Sequence, residues 1–291
     1  MKSYLDLMSD VLLNGEYHDD RTKVTTRSVF GRQWRHNMKD GFPLLTTKKV
    51  SLRWVFEELR WFLSGSTNVK DLQKEGVTIW DEWATKEQCA KFGREEGDMG
   101  PIYGGLWRNF DGINGLTELE SIEYDMDQGV DQISNLLSDI QNSPQSRRLI
   151  VSGWNPRQCK LVTLPPCHTL WQVKCHGNDE MSLSLYCRSI DIFLGMPYNI
   201  ASYGLLLEML AKVTNRKARD LVFSFGDLHL YNNHLDQARE QLSRSPNQLP
   251  TIKINSKGSN SPLQDLLDIR WSDIKLSNYD PQSKIQADVA I

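Results

Sequence analysis

The segment Leu164-Pro165-Pro166-Cys167-His168-Thr169-Leu170 sets a thiol, backed by two prolines, inside an otherwise apolar and strand-like run. Further along, Arg188, Ser189, Asp191 and Asn199 supply a cation, a hydroxyl, a carboxylate and an amide within one short stretch. Together they are what nucleophilic attack on a polar ring would need. A free thiol titrates at about pH 8.5 and attacks well only where nearby cations favour the thiolate. Without such cations a cysteine of this kind is a packed, inert thiol. A cysteine–histidine dyad of Cys167 with His168 is disfavoured, because adjacent residues of a strand project to opposite faces.

Other residues suit a nucleotide. Arg147 and Arg148 follow Ser146 and match a phosphate bidentately, unless they are a solvated pair. Asn199 offers one donor and one acceptor, the complement of a pyrimidine's O4 and N3–H, or else it stitches its own helix. His229 and Tyr231 share strand parity, so both can face one pocket and meet a sugar hydroxyl, or pair structurally. Trp80 and Trp83 are core or lid aromatics, or a stacking wall for a flat heterocycle.

These residues must be positioned by regular elements. A helix is expected over 1–13, a strand over 25–37, and a turn at Gly41-Phe42-Pro43. Leu52, Val55, Phe56, Leu59, Phe62 and Leu63 form a helical apolar stripe over 51–64. At about 100° per residue this stripe places Glu58 at its edge, looking inward, and Glu57 toward water. Residues 112–128 are expected to be an exposed insertion, with a helix following over 129–142. Strands are expected over 147–153, 161–175 and 181–189, with a turn at 176–180. Pro197 suits the first turn of a buried helix over 198–213, and a last helix is expected over 230–243.

The chain has 291 residues, 39% hydrophobic and 24% charged, with a net charge of −3. Such values suit a folded protein and give no support to nucleic-acid binding. No linker or repeat divides the chain, so one domain is expected. The absence of an apolar leader or of a run long enough to span a bilayer points to a soluble cytoplasmic protein. Five cysteines without a C-x-x-C pair suggest neither a disulfide framework nor a metal site. Cys159, Cys175 and Cys187 read as packed thiols.

Taken in order, the segments closely resemble the thymidylate synthase family. They are Asp20-Arg21-Thr22, the Gly41–Lys49 run, Glu58–Leu63, Trp80-Asp81-Glu82-Trp83, Gly100–Gly104, Ser146-Arg147-Arg148 and Pro166-Cys167-His168. Arg188-Ser189 with Asp191, Asn199–Tyr203, His229-Leu230-Tyr231 and the ending Val289-Ala290-Ile291 complete the series. The resemblance implies an α/β fold of the α+β type, a twisted mixed sheet flanked by helices, paired back to back in a homodimer. It implies that dUMP takes a one-carbon unit from methylenetetrahydrofolate, with no metal. By position, Cys167 adds to pyrimidine C6. Arg21, Arg188 and Ser189 hold the 5′-phosphate, with Arg147 and Arg148 reaching in from the other subunit. Asn199 reads the ring edge, and His229 and Tyr231 bind the 3′-hydroxyl. Glu58 manages protons near O4, and Tyr103 assists proton removal at C5. Asp191 holds the pterin, while Trp80, Trp83 and the carboxylate of Ile291 close over the folate.

The chain departs from the family pattern at several places. Lys23-Val24-Thr25 replaces a glycine-containing loop. Ser51 stands where many members have a folate-contacting histidine. Leu106 and Cys187 replace glutamines, and Gly153 replaces an alanine. These changes keep a sister activity in view, a dUMP hydroxymethylase that adds water rather than hydride to the transferred carbon. Asn199 favours uracil, since cytosine-specific relatives carry aspartate there. Trp80 and the closing tail favour hydride transfer. A nucleotide-binding protein without catalysis is the reading of another class.

Overall fold

The computed structural model describes residues 1–19, 24–112, 129–177, 179–259 and 261–289. The first helix, α1 (Lys2–Asn14), buries Tyr4, Leu5, Met8 and Val11 at helical spacing. Strands β1 (Glu16–His18) and β2 (Thr26–Asn37) follow and pair antiparallel.

Helix α2 (Leu52–Ser64) begins where the Ser51 side chain accepts from the Trp54 N–H, and ends at Gly65 in the left-handed region. Its stripe is buried as expected, with Glu58 among it. Glu57 differs from the expectation. It is buried as well, because Arg60 (3.2 Å) and Arg53 (4.0 Å) cover its carboxylate, so charge pairing and not water satisfies that face.

Short helices α3 (Val69–Gln73), α4 (Lys86–Ala90) and α5 (Gly104–Arg108) follow, with α3 and α5 packing against α2. Helix α6 (Gln132–Asn142), capped by Asp131, leads to β3 (Ile150–Ser152). That strand is shorter than the expected 147–153. The expected insertion at 112–128 lies, past Gly112, outside the described residues.

The expected strand over 161–175 is also shorter. Strand β4 runs only from His168 to His176, and residues 161–167 form a turn and an extended approach. Two consecutive prolines have no N–H to give a ladder, which is why the strand cannot reach back past Cys167. Strand β5 (Glu180–Asp191) returns antiparallel. Helix α7 (Gly195–Val213) is buried nearly all round, with Pro197 in its first turn. Strand β6 (Lys217–Tyr231) lies parallel to β5, and α8 (Leu235–Leu242) follows one 3₁₀ turn. The helix expected from residue 230 thus starts later, because Leu230 and Tyr231 are held in the sheet by β2. A small antiparallel pair, β7 (Thr251–Ile254) and β8 (Ile274–Ser277), brackets α9 (Pro262–Asp268).

The main sheet has the order β1-β2-β6-β5-β4-β3 and is mixed, with β5 and β6 its parallel pair. Alternation sorts its faces. Trp34, Trp171, Val173, Leu183, Leu185 and Phe223 point to the helices and are buried. The opposite parity carries Gln33, Arg35, Gln172 and Ser184, with Ile150, Leu170 and Tyr186 between 39% and 44% exposed. A cavity of about 450 Å³ on this outer face includes Arg147 in its lining. No described helix is long and apolar enough to cross a membrane.

Candidate active site

The core-facing parity of the sheet turns polar at its carboxyl end. On β5 the buried series Leu183, Leu185, Cys187 continues as Ser189 and Asp191. On β6 the series Phe223, Phe225 continues as Asp227, His229 and Tyr231. Pairing brings Ser189 opposite Asp227, Asp191 opposite His229, and Thr26 of β2 opposite Tyr231. These residues floor a cavity of about 690 Å³ whose walls include Glu58, Phe62, Trp80, Trp83, Tyr103, Cys167, Arg188 and Asn199. A polar crevice at the carboxyl ends of parallel strands is where ligands bind in open α/β sheets.

Among the five cysteines, Cys89, Cys159, Cys175 and Cys187 are buried and Cys167 alone is half-buried. The approach to it is clamped. Arg188 donates to the carbonyls of Pro165 (2.7 Å) and Pro166 (2.8 Å), and the Arg188 N–H donates to Cys167 O (2.9 Å). The Cys167 N–H donates to the Tyr103 hydroxyl (3.0 Å). Tyr103 sits at a φ of 30°, a strained value for a residue with a side chain. Gly104 follows because a Cβ there would stand 2.5 Å from the Phe62 carbonyl of α2. Burial pushes the Tyr103 phenol well above its ordinary value, so its proton stays on oxygen.

His168 does not serve the thiol. A register irregularity after His168 turns its ring into the core, where it packs between Tyr103 (5.2 Å) and Tyr203 (5.1 Å). Burial pulls it down to about 3, so it is neutral at any working pH. Glu58 is buried and accepts from the Trp80 indole N–H (2.7 Å). Burial raises it to about 7 against the lowering effect of that hydrogen bond, which leaves it able to give or take a proton near neutrality.

Asp191 folds back on its own chain, accepting from the N–H groups of Phe193 (2.8 Å) and Leu194 (3.2 Å) at the start of α7. Beneath it, buried Lys48 donates to the Phe193 carbonyl and lies 3.7 Å from that ring's centre. Burial lowers Lys48 to about 8, with the Asp191 carboxylate opposing. Asn199, one turn into α7, faces the cavity. Trp83 carries an indole N–H that is buried and has no partner among the described residues, and its ring stands 5.9 Å from that of Trp80. An aromatic wall with a spare donor fits a flat, acceptor-rich heterocycle such as a pterin.

Not every expected residue joins this cavity. Ser51 is spent on capping α2 and does not line it. Arg147 lines the cavity on the outer sheet face, Arg148 is exposed, and neither lines the Cys167 cavity of its own chain. Arg21 and Ile291 lie outside the described residues. The sequence reading missed His18, Thr26 and Asp227, which line the cavity. For Asp227 a signal existed, since it shares parity with His229. For His18 and Thr26 the signal appears only once β1 and β2 pair beside β6. Among the described residues, no group of three metal-ligating side chains converges.

The geometry can present a thiol beneath a polar ring, move a proton through Glu58, and stack a second heterocycle. The comparison with known families agrees: the family model described as thymidylate synthase matches residues 2–291.

Proposed function

This chain belongs to the thymidylate synthase family, and from that premise we propose that it converts dUMP and methylenetetrahydrofolate to dTMP and dihydrofolate. The family makes it a folate-dependent enzyme of the thymidylate synthase type. The choice of hydride over water as the last step is our reading, as are a single catalytic domain and a cytoplasmic setting.

The Cys167 thiolate adds to C6 of the uracil ring, which turns C5 into a carbon nucleophile. Covalent addition divides one hard step into easier ones. The positive charge of Arg188 favours the anionic sulfur. Folate supplies the one-carbon unit and the hydride that reduces it. Glu58 exchanges a proton near O4, at a carboxyl poised near neutrality. Tyr103 keeps its own proton, accepts from the Cys167 N–H, and assists removal of the C5 proton by hydrogen bonding. Asn199 reads the ring edge, and His229 and Tyr231 hold the 3′-hydroxyl. The phosphate is held by Arg21, Arg188 and Ser189, with Arg147 and Arg148 of a second copy. Asp191, Trp80, Trp83 and Ile291 enclose the folate.

One observation carries this reading: the half-buried thiol of Cys167 shares a cavity with the buried carboxyl of Glu58 and the Asn199 amide. The homodimer is supported by the outer sheet face, which exposes Ile150, Leu170 and Tyr186. A second reading, dUMP hydroxymethylase, is favoured by Leu106 and buried Cys187, which stand in place of two amides.

Incubation with 5-fluorodeoxyuridylate and methylenetetrahydrofolate should give a denaturation-resistant ternary adduct on Cys167. No adduct would support a binding protein without catalysis. Product analysis with dUMP separates the two enzymes. We expect dTMP with dihydrofolate, and 5-hydroxymethyl-dUMP with tetrahydrofolate would overturn the synthase reading.

A further inference from the structure

His229 does not stand alone in the cavity floor. Its Nδ1 lies 2.7 Å from Asp227 Oδ1, and the other oxygen, Oδ2, accepts from the Ser28 hydroxyl at 2.7 Å. Register explains the chain of three. Ser28 of β2 is paired opposite His229 of β6, and Asp227 precedes His229 by two residues on the same face. Burial pushes the Asp227 carboxyl up, but the hydrogen bonds from His229 and Ser28 outweigh it, so the group is lowered and ionised. An ionised carboxylate only accepts. Nδ1 must therefore carry the imidazole proton, and in the neutral ring Nε2 is left as an acceptor.

We propose that Asp227, braced by Ser28, is a positioning residue that fixes His229 as a hydrogen-bond acceptor, so that the site reads the sugar's 3′-substituent as a proton donor. This rests on the dUMP reading above. The stretch Gly226–Tyr231 then does more than bind a hydroxyl. It distinguishes a substituent that can donate from one of similar size that can only accept.

The test compares dUMP with its 3′-amino and 3′-fluoro analogues, by kcat/KM or by calorimetric Kd. The 3′-amino group donates and the 3′-fluoro group does not. The wild-type enzyme should prefer hydroxyl and amino over fluoro by about tenfold or more, the size of one well-placed hydrogen bond. In Asp227→Ala the preference should fall to under about threefold, since the ring is free to reverse its tautomer. Asp227→Asn should keep most of it, with the amide oxygen toward Nδ1 and the amide N–H toward Ser28 Oγ. His229→Ala should abolish it, and adding Asp227→Ala should then change nothing more, which marks two residues acting as one unit. Nitrogen-15 spectra should show His229 protonated at Nδ1 in the wild type and mixed in Asp227→Ala.

Equal binding of the hydroxyl and fluoro compounds by the wild type overturns the inference, and so does a wild-type His229 protonated at Nε2. Discrimination that survives His229→Ala also overturns it, by assigning the reading of the hydroxyl to Tyr231 or Asp227 instead. Should dUMP itself fail to bind the wild type, the functional reading falls first and the inference with it.

Discussion

At the scale of the residue, burial raises two carboxyls one position apart on α2, but they are covered differently. Glu57 is buried under Arg53 and Arg60, whereas Glu58 is buried beside a single indole donor. An unpaired buried acid keeps its proton. Its folded value, about 7, exceeds the ordinary 4.5. Below pH 4.5 both folded and unfolded chains hold the proton. Between 4.5 and about 7 the unfolded chain loses it first, so stability falls with rising pH across that window and is level above it. Glu58→Gln should remove that slope and stabilise the protein at pH 8 by up to roughly 3 kcal/mol. The same change should lower kcat by about two to four orders of magnitude. Urea unfolding at pH 5 and pH 8, with single-turnover rates, checks both. The Trp80 hydrogen bond lowers the Glu58 value, so Trp80→Phe should move the Glu58 limb of the pH–rate profile upward. A limb that stays in place would show that the profile reports another group. Cys167→Ser should leave dUMP bound and no covalent adduct by mass spectrometry.

At the scale of the element, the α2–α5 contact sets the nucleophile's height. Gly104 passes so close to α2 that a methyl there meets the Phe62 carbonyl at 2.5 Å. Gly104→Ala must push α5 outward, and Tyr103 moves with it. The expected cost is about 1–3 kcal/mol from overpacking, with kcat falling further than stability alone explains, because the Tyr103–Cys167 hydrogen bond is stretched. Calorimetry beside steady-state kinetics separates the two effects. A variant with lowered melting temperature and undiminished kcat would show that the bond is structural only.

At the scale of the whole molecule, the outer sheet face decides whether the site is complete in one chain. Arg147 lines a cavity on that face, neither Arg147 nor Arg148 lines the Cys167 cavity of its own chain, and Leu170 and Tyr186 are exposed on the same face. In the homodimer reading, Leu170→Asp with Tyr186→Asp should give monomers by sedimentation and lose activity. Mixing inactive Cys167→Ala with inactive Arg147→Ala/Arg148→Ala chains should restore turnover through hybrid dimers, each holding one intact site. Mixtures that remain inactive despite proven subunit exchange would place those arginines elsewhere.

The sequence by itself determined the elements with strong period and the chemistry on them. The α2 stripe, the buried α7 and the shared parity of His229 and Tyr231 follow from local spacing, which obeys fixed helix and strand geometry. So does the separation of Cys167 from the packed thiols Cys159, Cys175 and Cys187, read from its neighbours. Tertiary structure decided the register at the start of β4, since the irregularity between His168 and Leu170 depends on the β5 partner, whereas the two prolines that end the ladder are written in the sequence. It likewise decided that Glu57 is buried, in a cleft that it shares with Asp71 and Leu72 of α3. It brought Ser28, Asp227 and His229 into one chain of hydrogen bonds, across a register between β2 and β6 that residues nearly two hundred positions apart must meet to form. Local periodicity records which way a side chain faces. Only the packed sheet determines what it faces.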